Sequence, residues 1–312
     1  TNSREMKIFD NPESDFALNN NFNTNLQKSD LKEFINSISS KNLPNLVFVD
    51  NTSSEDVVAE YSLLFNNNIS IVTCNKKGNS SSYEQYSKFK RLAKKNNVSF
   101  LYETNVGAGL PIIKTLNDLW ISGDEILKIE AILSGTISYI FNNYVGDNTF
   151  AEVVRTAQEL GYTEPDPRDD LNGMDFSRKM LILGREIGLP LEMSNVNIKD
   201  FLPEACLKAE SIPAFYEELE KHEPYFSSFK NEAENSGRKL RLIGVLEDGK
   251  INIEVQIVDA NHPSFGLSGS DNIISFTTSR YKNTPLVVKG PGAGAEVTAA
   301  GVFADLVRVT AQ

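Results

Sequence analysis

The apolar and polar positions of the chain follow two rhythms. Residues 1–45 show little pattern: a polar tract at Asn19–Asn25 reads as loop, and a short helix is expected near Ser29–Ser39 with Leu31, Phe34, Ile35 and Ile38 on one face. Then Leu46–Asp50 forms a continuous apolar run of the kind buried on both sides in a parallel sheet. Thr52 to Asp56 reads as a cap for a helix over Val57–Phe65, and Ile69–Thr73 is the next strand. Ser81 and Glu84 have the spacing that caps a further helix, and Val98–Tyr102 is a third strand. Strand and helix alternating at this spacing imply right-handed crossovers and a parallel sheet covered on both faces.

After Pro111 the alternation stops. A helix over Ile112–Ile121 leads to a strand at Leu127–Leu133, then helices at Ile137–Tyr144, Phe150–Leu160 and Asp175–Ile187, the last stopped by Gly188 and Pro190. Residues 200–235 read as two acidic helical pieces. Arg238–Glu247 and Lys250–Asp259 flank an Asp248-Gly249 turn, a hairpin signal, and Ile273–Ser279 and Leu286–Lys289 add strands. Strands and helices in unalternated runs suggest an α+β domain on a mainly antiparallel sheet. The expected fold is therefore α/β plus α+β. Residues 1–111 are expected to form an incomplete doubly wound Rossmann-type domain, and residues 112–289 the α+β domain.

Between two of these helices lies Gly161-Tyr162-Thr163-Glu164-Pro165-Asp166-Pro167-Arg168-Asp169-Asp170. The two prolines hold Glu164 and Asp166 in extended backbone. Asn172-Gly173 turns the chain into the helix, where Asp175 and Lys179 stand four apart and share a face. This is either a solvated acidic loop with one helix ion pair or a site in which carboxylates surround a lysine. Thr52 and Lys76 follow strand ends, the edge at which open parallel sheets bind ligands; Lys76 is otherwise a surface lysine. Pro285–Val309 is a strand, a glycine-rich loop and a helix. Its Gly292-x-Gly294 lacks the third glycine and the following strand of a dinucleotide fingerprint, so a tight turn is the simpler reading.

A net charge of −11 argues against a nucleic-acid partner. Cys74 and Cys206 stand far apart and fit a reduced compartment, and His222 and His262 stand alone, which argues against metal clusters and Ser–His or Cys–His catalysis. No signal peptide is expected, and no apolar run approaches the ~20 residues of a membrane span. A cytoplasmic enzyme is expected.

The run Glu164-Pro-Asp-Pro-Arg-Asp-Asp-Leu-x-Gly-x-Asp-x-x-Arg-Lys179 resembles the signature of homoserine dehydrogenases. Asn75-Lys76-Lys77, Asn105 to Pro111, Leu133-Ser134-Gly135-Thr136 and Gly292 to Gly301 resemble the same family in the same order. The resemblance is closest to the dehydrogenase half of bifunctional aspartokinase–homoserine dehydrogenases and runs over nearly the whole chain. It implies interconversion of L-aspartate 4-semialdehyde and L-homoserine with NADP or NAD, on the route from aspartate to threonine and methionine. By that resemblance Lys179 is the general acid, Asp170 helps place lysine and substrate, Glu164 and Asp175 bind substrate, and Thr136 and Tyr162 line the pocket. Thr52, Lys76, Gly292 and Gly294 would meet the cofactor. Glu103 with the carbonyls of Val106, Ala108 and Leu110 would hold a monovalent cation, Na or K, where the residues alone show a glycine-rich turn. A homodimer and association with an aspartokinase domain are also implied. The carboxylates around Lys179 are expected to favour its charged form.

Against the family pattern, no strand, G-x-G-x-x-G and helix precede Leu46, and Thr1–Arg4 looks like the end of a second strand. The phosphate-binding loop is thus expected to be absent, with weak cofactor binding and the edge of Leu46–Asp50 left open. Arg4 is the one hint of a 2′-phosphate. The alternative is a catalytically silent structural or dimerisation module.

Overall fold

The computed structural model describes residues 4–6, 27–199 and 201–310; the Asn19–Asn25 tract and most of the expectation for residues 1–45 lie outside these. Strands β1 (Glu5–Met6) and β2 (Gln27–Lys28) pair antiparallel. The helix Leu31–Ser40 follows, with Asp30 accepting the capping N–H of Glu33 at 2.9 Å.

A parallel sheet comes next in the order β3 (Val47–Asp50), β4 (Ser70–Thr73), β5 (Phe100–Leu101). All four residues of β4 are buried, so both faces are covered as the apolar run implies. The crossover helix differs from expectation. It breaks at Glu60 into Glu55–Ala59 and Tyr61–Asn66, and Ser54 caps nothing with its side chain. The break lets Tyr61 turn inward, where its hydroxyl donates to Asp50 Oδ2 at 2.6 Å. The next helix, Tyr83–Lys95, is capped by Ser82, one residue beyond the expected serine.

The second sheet has the order β11 (Leu286–Pro291), β10 (Asp271–Thr278), β6 (Ile126–Ile132), β8 (Lys239–Glu247), β9 (Lys250–Val258), β7 (Val196–Ile198). Its pairings are antiparallel except at the β7 edge, which runs parallel to β9 and carries no periodic signal in its three residues. Asp248 and Gly249, at φ 49° and 72°, make the left-handed two-residue turn that the hairpin requires. Helices Gly135–Asn143, Phe150–Glu159, Met174–Glu186, Ile212–Lys221 and Glu223–Asn235 belong to this unit. Phe150, Phe176, Phe215 and Phe276 are fully buried in the core. Part of the other sheet face is covered by a smaller cluster of Ile132, Ile243, Val258, Leu267 and Ile273.

The closing helix, Ala295–Thr310, returns to the parallel sheet. Its Gly301 lies against Thr104 and the backbone of Gly109, and a Cβ on Gly109 would stand 2.5 Å from the carbonyl of Val297. Asp305 Oδ2 accepts the N–H of Glu103 at 2.9 Å.

Candidate active site

Loops from the two sheets meet at one carboxylate. Gly173, left-handed at φ 71°, starts the helix Met174–Glu186, and Asn172 Oδ1 accepts the N–H of Met174 at 2.8 Å. This sets Asp175 in the first helical turn. Its Oδ2 lies 2.7 Å from Lys179 Nζ, and its Oδ1 lies 3.2 Å from Lys76 Nζ, which arrives from beyond β4. Lys179 also donates to the carbonyl of Leu133, past the end of β6, at 2.7 Å. A lysine expected beside the apolar stripe is thus buried, while Asp175 remains half exposed.

Burial pushes the Lys179 ammonium below the ordinary lysine value, and Lys76 acts in the same direction. Asp175 and Asp170 oppose this without reversing it. The carboxylates favour the charged form, as expected, but desolvation of the buried amine outweighs them and sets the net direction. For Asp175 the balance is opposite. Burial works against its charge, but Lys179 and Lys76 together hold the carboxyl far below the usual carboxylate range.

The acidic loop closes over the same place. Asp170 Oδ2 accepts the N–H of Glu164 at 2.7 Å, and Thr136 Oγ1 lies 2.6 Å from the Tyr162 carbonyl and 3.0 Å from Asp170 Oδ1. Burial raises the pKa of Asp170 in spite of those hydrogen bonds, and the charges of Glu164 and Asp175 add to the rise. Tyr162 stacks on Tyr139 with centroids 4.3 Å apart. Glu164 contributes its backbone to this arrangement and leaves its side chain exposed. Asp166 is occupied elsewhere, clasped by Arg168 Nε at 2.8 Å.

At the carboxyl edge of the parallel sheet the order comes from a network the sequence does not announce. Asp50 accepts from the N–H of Thr52 at 2.8 Å and from Asn75 Nδ2 at 3.0 Å as well as from Tyr61. Burial and the Asp50 charge push the Tyr61 phenol far upward, so it serves as a fixed donor. Thr52 and Lys76 are thereby held on adjoining turns. Gly292, by contrast, is buried against Asn272, whose Nδ2 would be 1.9 Å from a Cβ; close packing accounts for that glycine. Gly294, at φ 120°, has only Val297 near it, at 3.7 Å from where a Cβ would stand, and fits a loop facing a ligand.

Glu103 is buried, and its two oxygens accept the N–H groups of Ile113 and Lys114 at 2.7 and 3.0 Å. Arg308 lies 3.6 Å from the second oxygen. Burial raises the pKa of this carboxyl. The turn beyond it is tight, with Gly107 at φ 75° and Ala108 at φ 52°, and the Leu110 carbonyl accepts from Ile112 at 2.9 Å. Two backbone donors and the nearby guanidinium thus fix the Glu103 carboxyl at the head of this turn, each oxygen keeping a further lone pair.

Two family models match, that of the homoserine dehydrogenase NAD-binding domain over residues 4–103 and that of homoserine dehydrogenase over residues 111–307. A chloroplastic bifunctional aspartokinase/homoserine dehydrogenase of Arabidopsis thaliana is 45% identical over 285 residues, covering 90% of this chain and 31% of that protein. A homoserine dehydrogenase of Schizosaccharomyces pombe is 43% identical over 85% of this chain and 73% of its own length. A hyperthermophilic archaeal homoserine dehydrogenase mutant, solved in complex with NADPH, superposes with a TM-score of 0.72 at 25% identity, covering 96% of this chain and 80% of that one. The chain spans about a third of the length of the bifunctional relatives.

Proposed function

The chain belongs to the homoserine dehydrogenase family, and from that premise we propose that it interconverts L-aspartate 4-semialdehyde and L-homoserine with NADP or NAD. One observation carries this reading: a buried lysine, Lys179, is aimed by Asp175 and the Leu133 carbonyl into the junction where Lys76 arrives from the nucleotide side. A nicotinamide cofactor would supply or accept the hydride, and Thr52, Lys76 and the Gly294 loop would face it.

The chain's own residues then do the following. Lys179 gives a proton to the oxygen of the aldehyde as it becomes an alkoxide, and takes it back when homoserine is oxidised. Asp175 and Glu164 offer carboxylates to the substrate ammonium. Asp170 holds the loop through the Glu164 N–H and Thr136, so that Tyr162 and Thr136 wall the pocket. A monovalent cation held by Glu103 with the carbonyls of Val106, Ala108 and Leu110 would steady this turn and would take no part in the proton transfer.

The proposal extends to organisation. Residues 1–111 with 290–312 would form the nucleotide-binding domain, and 112–289 the substrate-binding and dimerisation domain; the closing helix packed on Glu103–Asn105 supports this division. The part of the second sheet face left open by the smaller cluster, lined by Lys128, Glu130, Val245, Asn252 and Glu254, would pair with a second copy. Association with an aspartokinase domain follows the bifunctional relatives. A cytoplasmic setting agrees with the free thiols of Cys74 and Cys206, although the plant relatives are chloroplastic by name. Among the described residues no helix is long and apolar enough to cross a membrane. The silent-module alternative is not favoured, because both family models and a relative matched over most of its length are dehydrogenases. The test is NADPH oxidation with L-aspartate 4-semialdehyde; no turnover from the folded chain would refute the activity.

A further inference from the structure

The helix Met174–Glu186 carries Asp175 and Lys179 at one end and two buried charges, Arg185 and Glu186, at the other. Neither touches Asp175 or Lys179, which lie roughly 9–16 Å away along the helix axis at 1.5 Å per residue. Both reach across to the nucleotide side. Arg185, with no exposed side-chain surface, donates Nη1 to the carbonyl of Asn79 at 2.8 Å. Asn79 closes the turn Lys76–Asn79, so this bond ties the helix to the turn that bears Lys76. The same guanidinium donates to the Leu191 carbonyl at 2.8 Å from Nη2 and 3.0 Å from Nε, and lies over the Tyr86 ring at 5.1 Å.

Glu186, 2% exposed at its side chain, collects donors from three other elements. Its Oε1 accepts from Tyr102 at 2.5 Å and Tyr86 at 3.2 Å, with Lys90 Nζ at 3.4 Å, and its Oε2 accepts from Asn117 at 3.0 Å. A buried carboxylate satisfied on every side in this way holds its surroundings rigidly, since losing a partner leaves an uncompensated charge. At the opposite end of the helix the link across the junction is the half-exposed Asp175–Lys76 pair, which ligands can rearrange. One end is built as a fixed point and the other as a working end.

We propose that Arg185 and Glu186 are positioning residues that set the register between Lys76 on one side and Asp175 and Lys179 on the other, and hence between cofactor and substrate. This deepens the dehydrogenase reading and rests on it. Hydride transfer needs donor carbon and carbonyl carbon aligned, and a displacement of about 1 Å can cost ~10²-fold in rate while each ligand still binds its own domain. Arg185→Lys keeps the charge but loses the forked geometry. Glu186→Gln keeps an acceptor for both phenols, and Asn117 can turn its amide to match.

The experiment uses the full chain. It measures kcat and KM for L-aspartate 4-semialdehyde, NADPH affinity by fluorescence titration, and the distance distribution between spin labels at Asn66→Cys and Glu217→Cys in a Cys74→Ser background. Arg185→Lys and Glu186→Ala are expected to lower kcat by ~10–100-fold while KM and the NADPH Kd stay within about twofold, with a broadened label distribution. Glu186→Gln should recover kcat to within about threefold, because the phenol hydrogen bonds survive. A kcat within about twofold of the parent in Arg185→Lys and Glu186→Ala, with unbroadened distances, would overturn the proposal. Should these two variants fail to fold, Lys90→Met decides, because it removes one donor of Glu186 from a partly exposed position. Its label distances must broaden if the cluster sets the register, and unchanged distances overturn it. An inactive parent chain refutes the dehydrogenase reading by itself and leaves the distance measurement to judge the register.

Discussion

At the scale of single residues, the chemistry depends on which effect wins at Lys179. Asp175, Asp170 and Lys76 all act on it, yet burial dominates, so its ammonium gives up a proton more readily than a free lysine does. The sign follows directly. Homoserine oxidation needs the neutral amine and should rise with pH, aldehyde reduction needs the ammonium and should fall, and both midpoints should lie below the ordinary 10.5. Steady-state rates in both directions across neutral to alkaline pH check this; a midpoint at or above 10.5 would show that the carboxylates win. Lys76 lowers the Lys179 pKa by its charge, so Lys76→Met should move the oxidation midpoint to higher pH. Replacing the catalytic lysine itself is the stronger test. Lys179→Ala should lose ~10²–10⁴ of turnover with much less change in KM, since general acid–base catalysis acts in the transition state. Near-normal turnover would remove Lys179 from the mechanism.

At the scale of elements, the closing helix and the 103–110 turn show how backbone contact replaces side-chain packing. Gly301 and Gly109 bring two backbones together, and a Cβ on Gly109 would meet the Val297 carbonyl, which cannot swing aside as a side chain can. Gly109→Ala should therefore destabilise the chain by about 1–3 kcal/mol, the usual range for overpacking, and free the helix Ala295–Thr310. Thermal unfolding with hydrogen exchange on that helix checks it; an unchanged melting temperature would mean the turn relaxes at no cost. The helix Ile113–Ile121 depends on Glu103 in a related way. Its first N–H groups lack intrahelical partners, and the buried carboxylate accepts two of them.

At the scale of the whole molecule, the two larger sheets are bridged by the closing helix and by the helix Met174–Glu186, which touches the nucleotide side at both ends. The second sheet leaves part of one face polar and open, between Lys128, Glu130, Asn252 and Glu254. A face of mixed charge on an otherwise covered sheet suits pairing about a two-fold axis, where each acidic side chain can meet a basic one of the partner. A homodimer is the expected state in sedimentation at micromolar concentration. Glu130→Lys with Glu254→Lys should shift it towards monomer, and a monomeric parent chain would end the argument.

Element order was legible in the sequence because periodicity and turn chemistry are local. The Asp248-Gly249 hairpin, the strand ends before Thr52 and Lys76, and the helix that begins after Gly173 each follow from a few neighbouring residues. So does the pairing of Asp175 with Lys179, one helical turn apart. The break at Glu60 and the short parallel edge Val196–Ile198 have no such local signal and follow from packing, whereas the Ser82 cap, with Gln85 three residues on, is itself local. The burial of Lys179, the reach of Lys76 to Asp175 and the grip of Arg185 and Glu186 on Asn79, Tyr86 and Tyr102 depend on residues far apart in the chain. No local pattern encodes such contacts. A charge's protonation depends on the summed desolvation and field of everything folded around it, and that sum exists only in the tertiary structure.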